Sequence, residues 1–427
     1  MMEQIHVEKE GFVKRESTQL PELAGVALRH VERIAIIGAG TMGTGIAIAA
    51  LDAGFHVLLL EREKEALDRG ERRISDHYTS RVSKGKISAA LAQGQLARLQ
   101  GSIDWQLLAG IDLVIEAVFE DLEVKQDVFR RLDSLVRPGS VLASNTSYLD
   151  LDKIASATSR PSDVVGLHFF SPANVMRLVE VVRGTATAPE VLATAVHVAK
   201  RMGKLPVIAG NAFGFIGNRV YSAYRRQCEF LIEEGAYPEQ VDAALESFGF
   251  AMGPFAVADM SGLDIAWRMR KSQAATRDPA ARYVDIPDRL CELGRLGKKT
   301  LAGYYLYEAG SRERKVDPLV TELIDLARSE SARPSRSLAD EEIQRRALLA
   351  MVNEAALLLA EGVAQRPDDV DVVLVNGFGF PKREGGPVCW ARKRDRKELE
   401  KDIDWLASLS GPGFVRGNLA YLWEGED

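Results

Sequence analysis

The stretch "GLHFFSPANVMRLVEVV", residues 166–182, puts one histidine, His168, at the end of an apolar run and one glutamate, Glu180, inside the next. An imidazole can take a proton from a hydroxyl group near neutral pH. A carboxylate bonded to its far nitrogen fixes the tautomer and supports the imidazolium that forms. The bland alternative is a core histidine bonded to a backbone carbonyl, with a solvated strand glutamate beside it. Two features favour the pair. His168 closes a strand, and ligands of open α/β sheets bind outside the carboxyl ends of strands. Glu180 has apolar neighbours on both sides, where an unpaired carboxylate is expensive.

A second constellation lies upstream. "GAGTMG" sets Gly38, Gly40 and Gly43 directly after the apolar strand "RIAII" and at the start of a small-residue helix. Gly38 permits a tight turn, Gly40 lets backbone approach a pyrophosphate, and Gly43 lets helix and strand pack closely. The helix start then offers unpaired N–H groups to phosphate oxygens. Glu61 ends the next strand, at about the 20-residue spacing expected of the acid that binds the adenosine ribose. A carboxylate there accepts from both ribose hydroxyls and repels a 2′-phosphate, which favours NAD over NADP. Arg62, next to it, could pair with such a phosphate, but Glu61 holds the strand end.

Elements of two kinds must position these residues. Short apolar strands, "RIAII", "FHVLLLER", "DLVIEAV", "SVLAS", "DVVGLH", "RLVEVV" and "LPVIAG", alternate with helices, as in a mostly parallel sheet covered on both faces. Beyond Asn211 the apolar spacing turns helical. The expected division is an extension over residues 1–30, with a short helix in "LPELAGVALRH", and a dinucleotide-binding domain over 31–210. A first helical domain over 211–328, a linker over 329–342 and a second helical stretch over 343–427 follow. The two stretches repeat each other: Glu234-Gly235 matches Glu361-Gly362, Val241-Asp242 matches Val370-Asp371, and Phe248-Gly249-Phe250 matches Phe378-Gly379-Phe380. The same alignment sets Arg345 opposite Asn218.

The 427 residues exceed what one core usually supports, and 46% hydrophobic with 27% charged residues is an ordinary globular composition. A net charge of -6 leaves no broad basic footprint, so neither nucleic acid nor an anionic membrane is an expected partner. Cys228, Cys291 and Cys389 are scattered without C-x-x-C spacing, as reduced thiols of a cytoplasmic protein would be, and no metal site is expected. The amino terminus has no secretory h-region, and no run reaches the roughly 18 apolar residues of a membrane span.

Taken together, "GAGTMG", "VIEAVFEDLEVK", "SNTS", "GLHFFSPANVMRLVEVV", "GFIGNR", "GPFAVADMSGLD" and "LGKKTLAGYYLY" resemble the L-3-hydroxyacyl-CoA dehydrogenase family from about Arg33 onward. The duplicated C-terminal part resembles the dehydrogenase portion of multifunctional fatty-acid β-oxidation enzymes, without their enoyl-CoA hydratase domain. The resemblance implies an α/β Rossmann-type NAD-binding domain followed by an all-α C-terminal domain in two tandem copies. It implies reversible, NAD-dependent oxidation of an L-3-hydroxyacyl-CoA to the 3-ketoacyl-CoA. His168 is then the general base and Glu180 its orienting carboxylate, while Ser147 of "SNTS" and Asn218 of "GFIGNR" bind the reacting oxygen. From the residues alone, Ser147 reads as a capping serine and Asn218 as a helix-start residue.

On the cofactor side the resemblance implies Gly38, Gly40, Thr41, Met42, Gly43, Glu61 and Asn145, with Glu120 and Lys125 at the nicotinamide half. Arg81, Lys84 and Lys86 are the candidates for the CoA phosphates. Short family members often carry Asn after "HFF", where this chain has Ser171. The acyl-CoA thioester is the expected partner, with a separate hydratase or thiolase as a further one. The second helical copy would act as an internal partner of the first, giving a monomer with a pseudo-dimer, or a homodimer. The competing readings are a dehydrogenase of a small free β-hydroxyacid and a non-catalytic protein that keeps the fold.

Overall fold

The computed structural model describes residues 23–311, 313–331 and 335–425. They divide into two compact units. One runs to Asn218 and takes in Gly362–Gly377; the other comprises Arg219–Glu361 and the chain from Phe378 onward.

The first unit is built on eight strands: β1 (Arg33–Ile37), β2 (His56–Leu60), β3 (Leu99–Ser102), β4 (Leu113–Glu116), β5 (Val141–Ser144), β6 (Val164–Phe169), β7 (Leu178–Arg183) and β8 (Leu205–Gly210). Their order is β3-β2-β1-β4-β5-β6-β7-β8. All pairs are parallel except β6 with β7. The inner strands are rich in Val, Ile and Leu and buried along nearly their whole length, as a sheet covered on both faces requires. From β1 the chain leads to β2 on one side and later to β4 on the other. That reversal opens a crevice at the carboxyl ends of the strands. Helix α1 (Thr41–Asp52) follows β1, α2 (Lys64–Ser83) follows β2, and α3 (Leu122–Leu135) follows β4.

Three expectations need correction here. β3 gave no strand signal, because "LQGS" is a short edge strand with little apolar content. Of the helix expected over Leu20–His30, the first three residues lie outside the described ones. The rest is one turn at Leu23, broken by Gly25 at φ 76°, followed by extended chain that Arg29 pins to Asp163 at 2.7 Å and Glu190 at 3.3 Å. The second helical stretch is also not contiguous. Gly210 N donates to Val363 O at 2.8 Å, and a Cβ on Gly377 would come within 2.7 Å of Leu178, so residues 362–377 pack on the β7–β8 edge.

In the second unit, helix α4 (Gly217–Glu234, whose first two residues belong to the first unit) is joined by Pro238–Phe248, Pro254–Ser261, Leu263–Ser272, Pro318–Ser331 and Asp340–Ala360. Helices therefore occupy both ends of the expected linker, and its last three residues supply the acidic first turn of Asp340–Ala360. The unit is not purely helical. Tyr305–Tyr307 and Arg314–Val316 form an antiparallel pair, and "YLY" alternates buried and exposed as a half-buried strand does. Two buried acids lock this region. Asp259 accepts from the N–H groups of Tyr304 and Tyr305 and from the Tyr307 hydroxyl, at 2.9, 3.0 and 3.0 Å. Asp242 accepts from Phe255 N, Ala256 N and the Tyr305 hydroxyl, at 3.0, 3.0 and 2.7 Å. Burial pushes both carboxyls up to about 6, against the opposing pull of those donors.

The close helix–strand approach read from "GAGTMG" is visible at Gly43, where a Cβ would lie 1.8 Å from the carbonyl oxygen of Gly38. Backbone cannot give way as a side-chain tip can. Gly43→Ala is therefore expected to lower stability by about 3 kcal/mol. Gly94→Ala, with open space around its Cβ position inside helix Ala89–Leu96, should leave stability unchanged or raise it by up to about 1 kcal/mol. Urea midpoints of the two variants check this; equal midpoints would contradict the packing role.

Candidate active site

His168 is the fifth residue of β6, and the antiparallel register sets it directly opposite Glu180 on β7. Side chains at paired positions point to one face, so the register alone brings imidazole and carboxylate together. His168 Nδ1 and Glu180 Oε2 are 2.8 Å apart. Glu180 is fully buried, and its other oxygen accepts from Ile216 N and Gly217 N, both at 3.0 Å. Those N–H groups open α4, whose positive end favours an ionised partner. An anionic Glu180 can only accept, so Nδ1 carries the proton toward it and Nε2 is the nitrogen left for proton exchange. Phe170 and Phe215 flank the ring, with centroids at 4.7 and 5.6 Å.

Phe215 is one of two non-glycine residues at positive φ among the described residues, at 48°. That conformation turns the next two N–H groups onto Glu180. A bulky residue held in the left-handed region costs of order 1–3 kcal/mol, which the buried carboxylate's hydrogen bonds offset. The signal for it was the glycine on each side in "GFIG", and it was not read.

β5 ends beside β6, and the "SNTS" turn follows it. Asn145 Oδ1 accepts from Phe169 N at 2.8 Å, tying this turn to the residue after His168. Ser147 is half-buried, with its N–H donated to Glu120 Oε1 at 2.7 Å. The same oxygen takes the Thr146 hydroxyl at 2.7 Å and Tyr148 N at 3.1 Å. Glu120 is thus the anchor of the turn. Asn218 is half-buried in the first turn of α4, two residues beyond Ile216.

Lys125, which the resemblance places at the nicotinamide half, is enclosed by protein. It is fully buried on α3, with Nζ 2.7 Å from Glu116 and 3.4 Å from Glu120. Glu116, the last residue of β4, is fully buried and also accepts from Val118 N at 2.8 Å and the Ser144 hydroxyl at 2.6 Å. Glu116 was missed in the sequence because it reads as the tail of "DLVIEAV". One ammonium between two acids is what makes that burial tolerable.

At the glycine turn, Gly38 has φ 103°, and a Cβ there would meet Ala117 O at 2.7 Å. Gly40 differs: its φ is -71° and a Cβ placed there would have no protein atom within 4 Å, so the protein itself makes no demand for glycine. Gly40 caps α1 without a side-chain bond, and that helix has no acid in its first turn, which leaves its N–H groups for an anion. Thr41 is exposed and Met42 half-buried beside it. Glu61 holds the turn from below, accepting from Ala39 N at 2.8 Å and Arg62 N at 2.9 Å. This set fits a dinucleotide: an open approach to backbone at Gly40, free helix-start donors, and a carboxylate one strand away.

The candidates for the CoA phosphates separate. Arg81 pairs with Asp52 at 2.8 Å, and Asp52 also accepts from Tyr78 and Gln95. Lys84 and Lys86 are exposed, as is Ser171. Among the described residues no helix is long and apolar enough to cross a membrane.

Comparison with known proteins agrees with this geometry. The model of the 3-hydroxyacyl-CoA dehydrogenase NAD-binding domain matches residues 33–212, and that of the C-terminal domain matches 214–307. The chain is 43% identical over 375 residues to the peroxisomal bifunctional enzyme of Danio rerio, covering 85% of this chain and 52% of that protein. It is 37% identical over 410 residues to the glyoxysomal fatty acid β-oxidation multifunctional protein MFP-a of Brassica napus, covering 94% and 56%. It thus spans about half the length of these relatives. Its fold is similar to the crystal structure of 3-hydroxybutyryl-CoA dehydrogenase from Escherichia coli, with TM-score 0.76, 30% identity, and coverage of 88% of this chain and 94% of that one. The dehydrogenase part of multifunctional enzyme 1 from C. elegans gives TM-score 0.66 at 30% identity, covering 95% and 94%. The chain belongs to the 3-hydroxyacyl-CoA dehydrogenase family.

Proposed function

We propose that this chain oxidises L-3-hydroxyacyl-CoA thioesters to 3-ketoacyl-CoA, reversibly, with NAD. The observation that carries the proposal is the buried His168–Glu180 pair, with both carboxylate oxygens satisfied, at the strand edge that also carries the glycine turn. In the forward direction His168 Nε2 takes the substrate hydroxyl proton. Glu180 stays ionised and holds the imidazolium that results. The Ser147 hydroxyl and the Asn218 amide donate to the same substrate oxygen, which becomes the carbonyl. NAD, when bound, supplies the hydride acceptor. Gly38, Gly40, Thr41, Met42 and Gly43 would hold its pyrophosphate, Glu61 its ribose, and Glu120 and Asn145 its nicotinamide half. Lys125 serves that half from behind, by fixing Glu120. Lys84 and Lys86 remain the candidates for the CoA phosphates.

The finer domain reading belongs to the same proposal: the helical elements are a tandem pair, and the chain works as a monomer with an internal pseudo-dimer. Matching order supports it. Gly217–Glu234 leads through positive-φ Gly235 to the 11-residue helix Pro238–Phe248, then Phe-Gly-Phe with Gly249 at φ 124°, then a helix opened by Gly253-Pro254. Asp340–Ala360 leads through positive-φ Gly362 to the 11-residue helix Pro367–Gly377, then Phe-Gly-Phe with Gly379 at φ 71°, then a helix opened by Gly386-Pro387. The two Phe-Gly-Phe turns also meet, with Phe250 and Phe380 rings 5.4 Å apart and edge-on. Arg345, opposite Asn218 in the alignment, pairs with Asp402 and lies over Trp405, which leaves the second copy a structural part. A separate hydratase or thiolase would act before and after this chain. A cytoplasmic site is proposed on the buried, unpaired Cys228 and Cys291, although the curated relatives carry peroxisomal and glyoxysomal names.

Four outcomes are expected. NADH oxidation should proceed with acetoacetyl-CoA and not with free acetoacetate. His168→Gln should lower kcat by about 10²–10⁴-fold, and Glu180→Gln comparably, because an amide facing Nδ1 as a donor forces the proton onto Nε2. Turnover of the free acid, or a fully active His168→Gln, would favour a competing reading. Gly40→Ala should leave the urea midpoint unchanged yet weaken NAD binding at least about tenfold by titration calorimetry, since only a ligand needs that space; unchanged affinity would remove the glycine turn from the cofactor site. Light scattering should give the mass of one chain, and a stable dimer would sink the pseudo-dimer.

A further inference from the structure

At the amino-terminal edge of the sheet, opposite the edge that carries His168 and the glycine turn, three basic side chains stand in one row. Arg33 on β1 is the register partner of His56 on β2. Val57 pairs with Leu99, which sets Arg98 beside His56, and Val57 N donates to Arg98 O at 2.9 Å. Residues in register on parallel neighbours point to the same face, about 4.8 Å apart. Together with Gln100 and Ile111 the three line a cavity of about 120 Å3 that has no carboxylate in its wall.

The two guanidinium groups stand on either side of one imidazole and repel each other across the strand between them, and an acid there would offset that repulsion. Among the described residues none of Arg33, His56 and Arg98 has a carboxylate within ion-pair distance. The acid next to Arg33, Asp112, is already engaged. One oxygen accepts from Glu32 N and Arg33 N at 2.8 Å each, and the other takes the Arg137 guanidinium. Glu32 turns to His30, at 3.5 Å. The row therefore offers two guanidinium forks, an imidazole and the Gln100 amide N–H groups to a space with no carboxylate in its wall.

We propose that this row is a second anion site, which takes the phosphate monoester group of a small molecule. A carboxylate presents two oxygens and a single charge. A phosphoryl dianion presents three oxygens and the charge that two guanidinium groups call for. The site is separate from the glycine turn: β1 alone is five residues, about 16 Å long, between them.

The full chain is tested with NAD at saturation, so that the glycine turn is filled. Thermal unfolding is followed in inorganic phosphate and in glycerol 3-phosphate, against chloride and acetate at matched ionic strength. The wild type should gain about 2 °C or more with both phosphates at tenfold excess over their Kd. The double variant R33Q/R98Q should unfold at or above the wild-type temperature in chloride and lose the phosphate shift. Arg98→Lys, which keeps the charge without the fork, should retain part of it, and serves should the double variant not fold. A wild-type shift no larger than in chloride, or a shift that survives in R33Q/R98Q, would each overturn the site. A response to inorganic phosphate alone would overturn the ester assignment.

Discussion

A fully buried carboxylate, Glu180, is the constraint around which the site is organised. Taking such a group out of water costs several kcal/mol unless donors replace the lost solvent. Three do: the His168 ring and the N–H groups of Ile216 and Gly217. Each donor imposes a condition on the fold. The imidazole requires the β6–β7 register, since a slip of one residue would send it to the other face. That register is itself tight, because a Cβ on Gly166 would lie 2.6 Å from Val182 Cβ. The two N–H groups require the left-handed turn at Phe215 and the start of a helix immediately after it. Remove the charge from Glu180 and the reason for all three disappears.

The same device recurs three strands away. Glu116 at the end of β4 is buried, and its oxygens are taken by Lys125, Val118 N and the Ser144 hydroxyl. Lys125 reaches Glu120, and Glu120 gathers Thr146, Ser147 and Tyr148. The chain of contacts runs from a strand end to the turn that presents Ser147. Polar groups in such a chain fix geometry more narrowly than apolar packing, because each bond has a direction as well as a distance. The loop is thus tied by directed bonds to the strand ends beside it.

Much of this was legible in the sequence where one residue type admits one explanation. Gly38 and Gly43 behave as read, because glycine at those spacings answers to backbone contacts that any chain would meet. His168 and Glu180 were found because ionisable residues stand out in apolar runs. Glu116 and Lys125 were not read as a pair: one ends an apolar run, the other sits on the polar helix that follows it, and only the folded turn between β4 and α3 brings them together. Phe215 carries no mark in its side chain, since its contribution is a backbone angle. Residues 362–377 look like any amphipathic helix, and nothing local says that they complete the sheet edge rather than the helical unit. What was missed depends on how the folded backbone brings groups together, and what was read depends on residue types that stand out from their neighbours.

The two ends of the sheet then differ in a way that follows from its topology. In a parallel α/β sheet, helices begin at the carboxyl ends of the strands and finish near the amino ends, so the first edge is electropositive and the second electronegative. Acids gather at the first: Glu61, Glu116, Glu120 and Glu180 all bond backbone N–H groups there. The basic residues Arg33, His56 and Arg98 stand at the second. Helix ends alone do not account for them, because the last carbonyls nearby are already capped by backbone. Ala49, Ala50 and Leu51 receive N–H groups of Ala53, Phe55 and Gly54, and Gln93 and Gln95 receive those of Ala97 and Arg98. What remains of the dipole is worth at most about 1 kcal/mol per cation and fades with salt. It can tolerate one exposed arginine, but it gives no reason for three basic chains in register around a space without an acid.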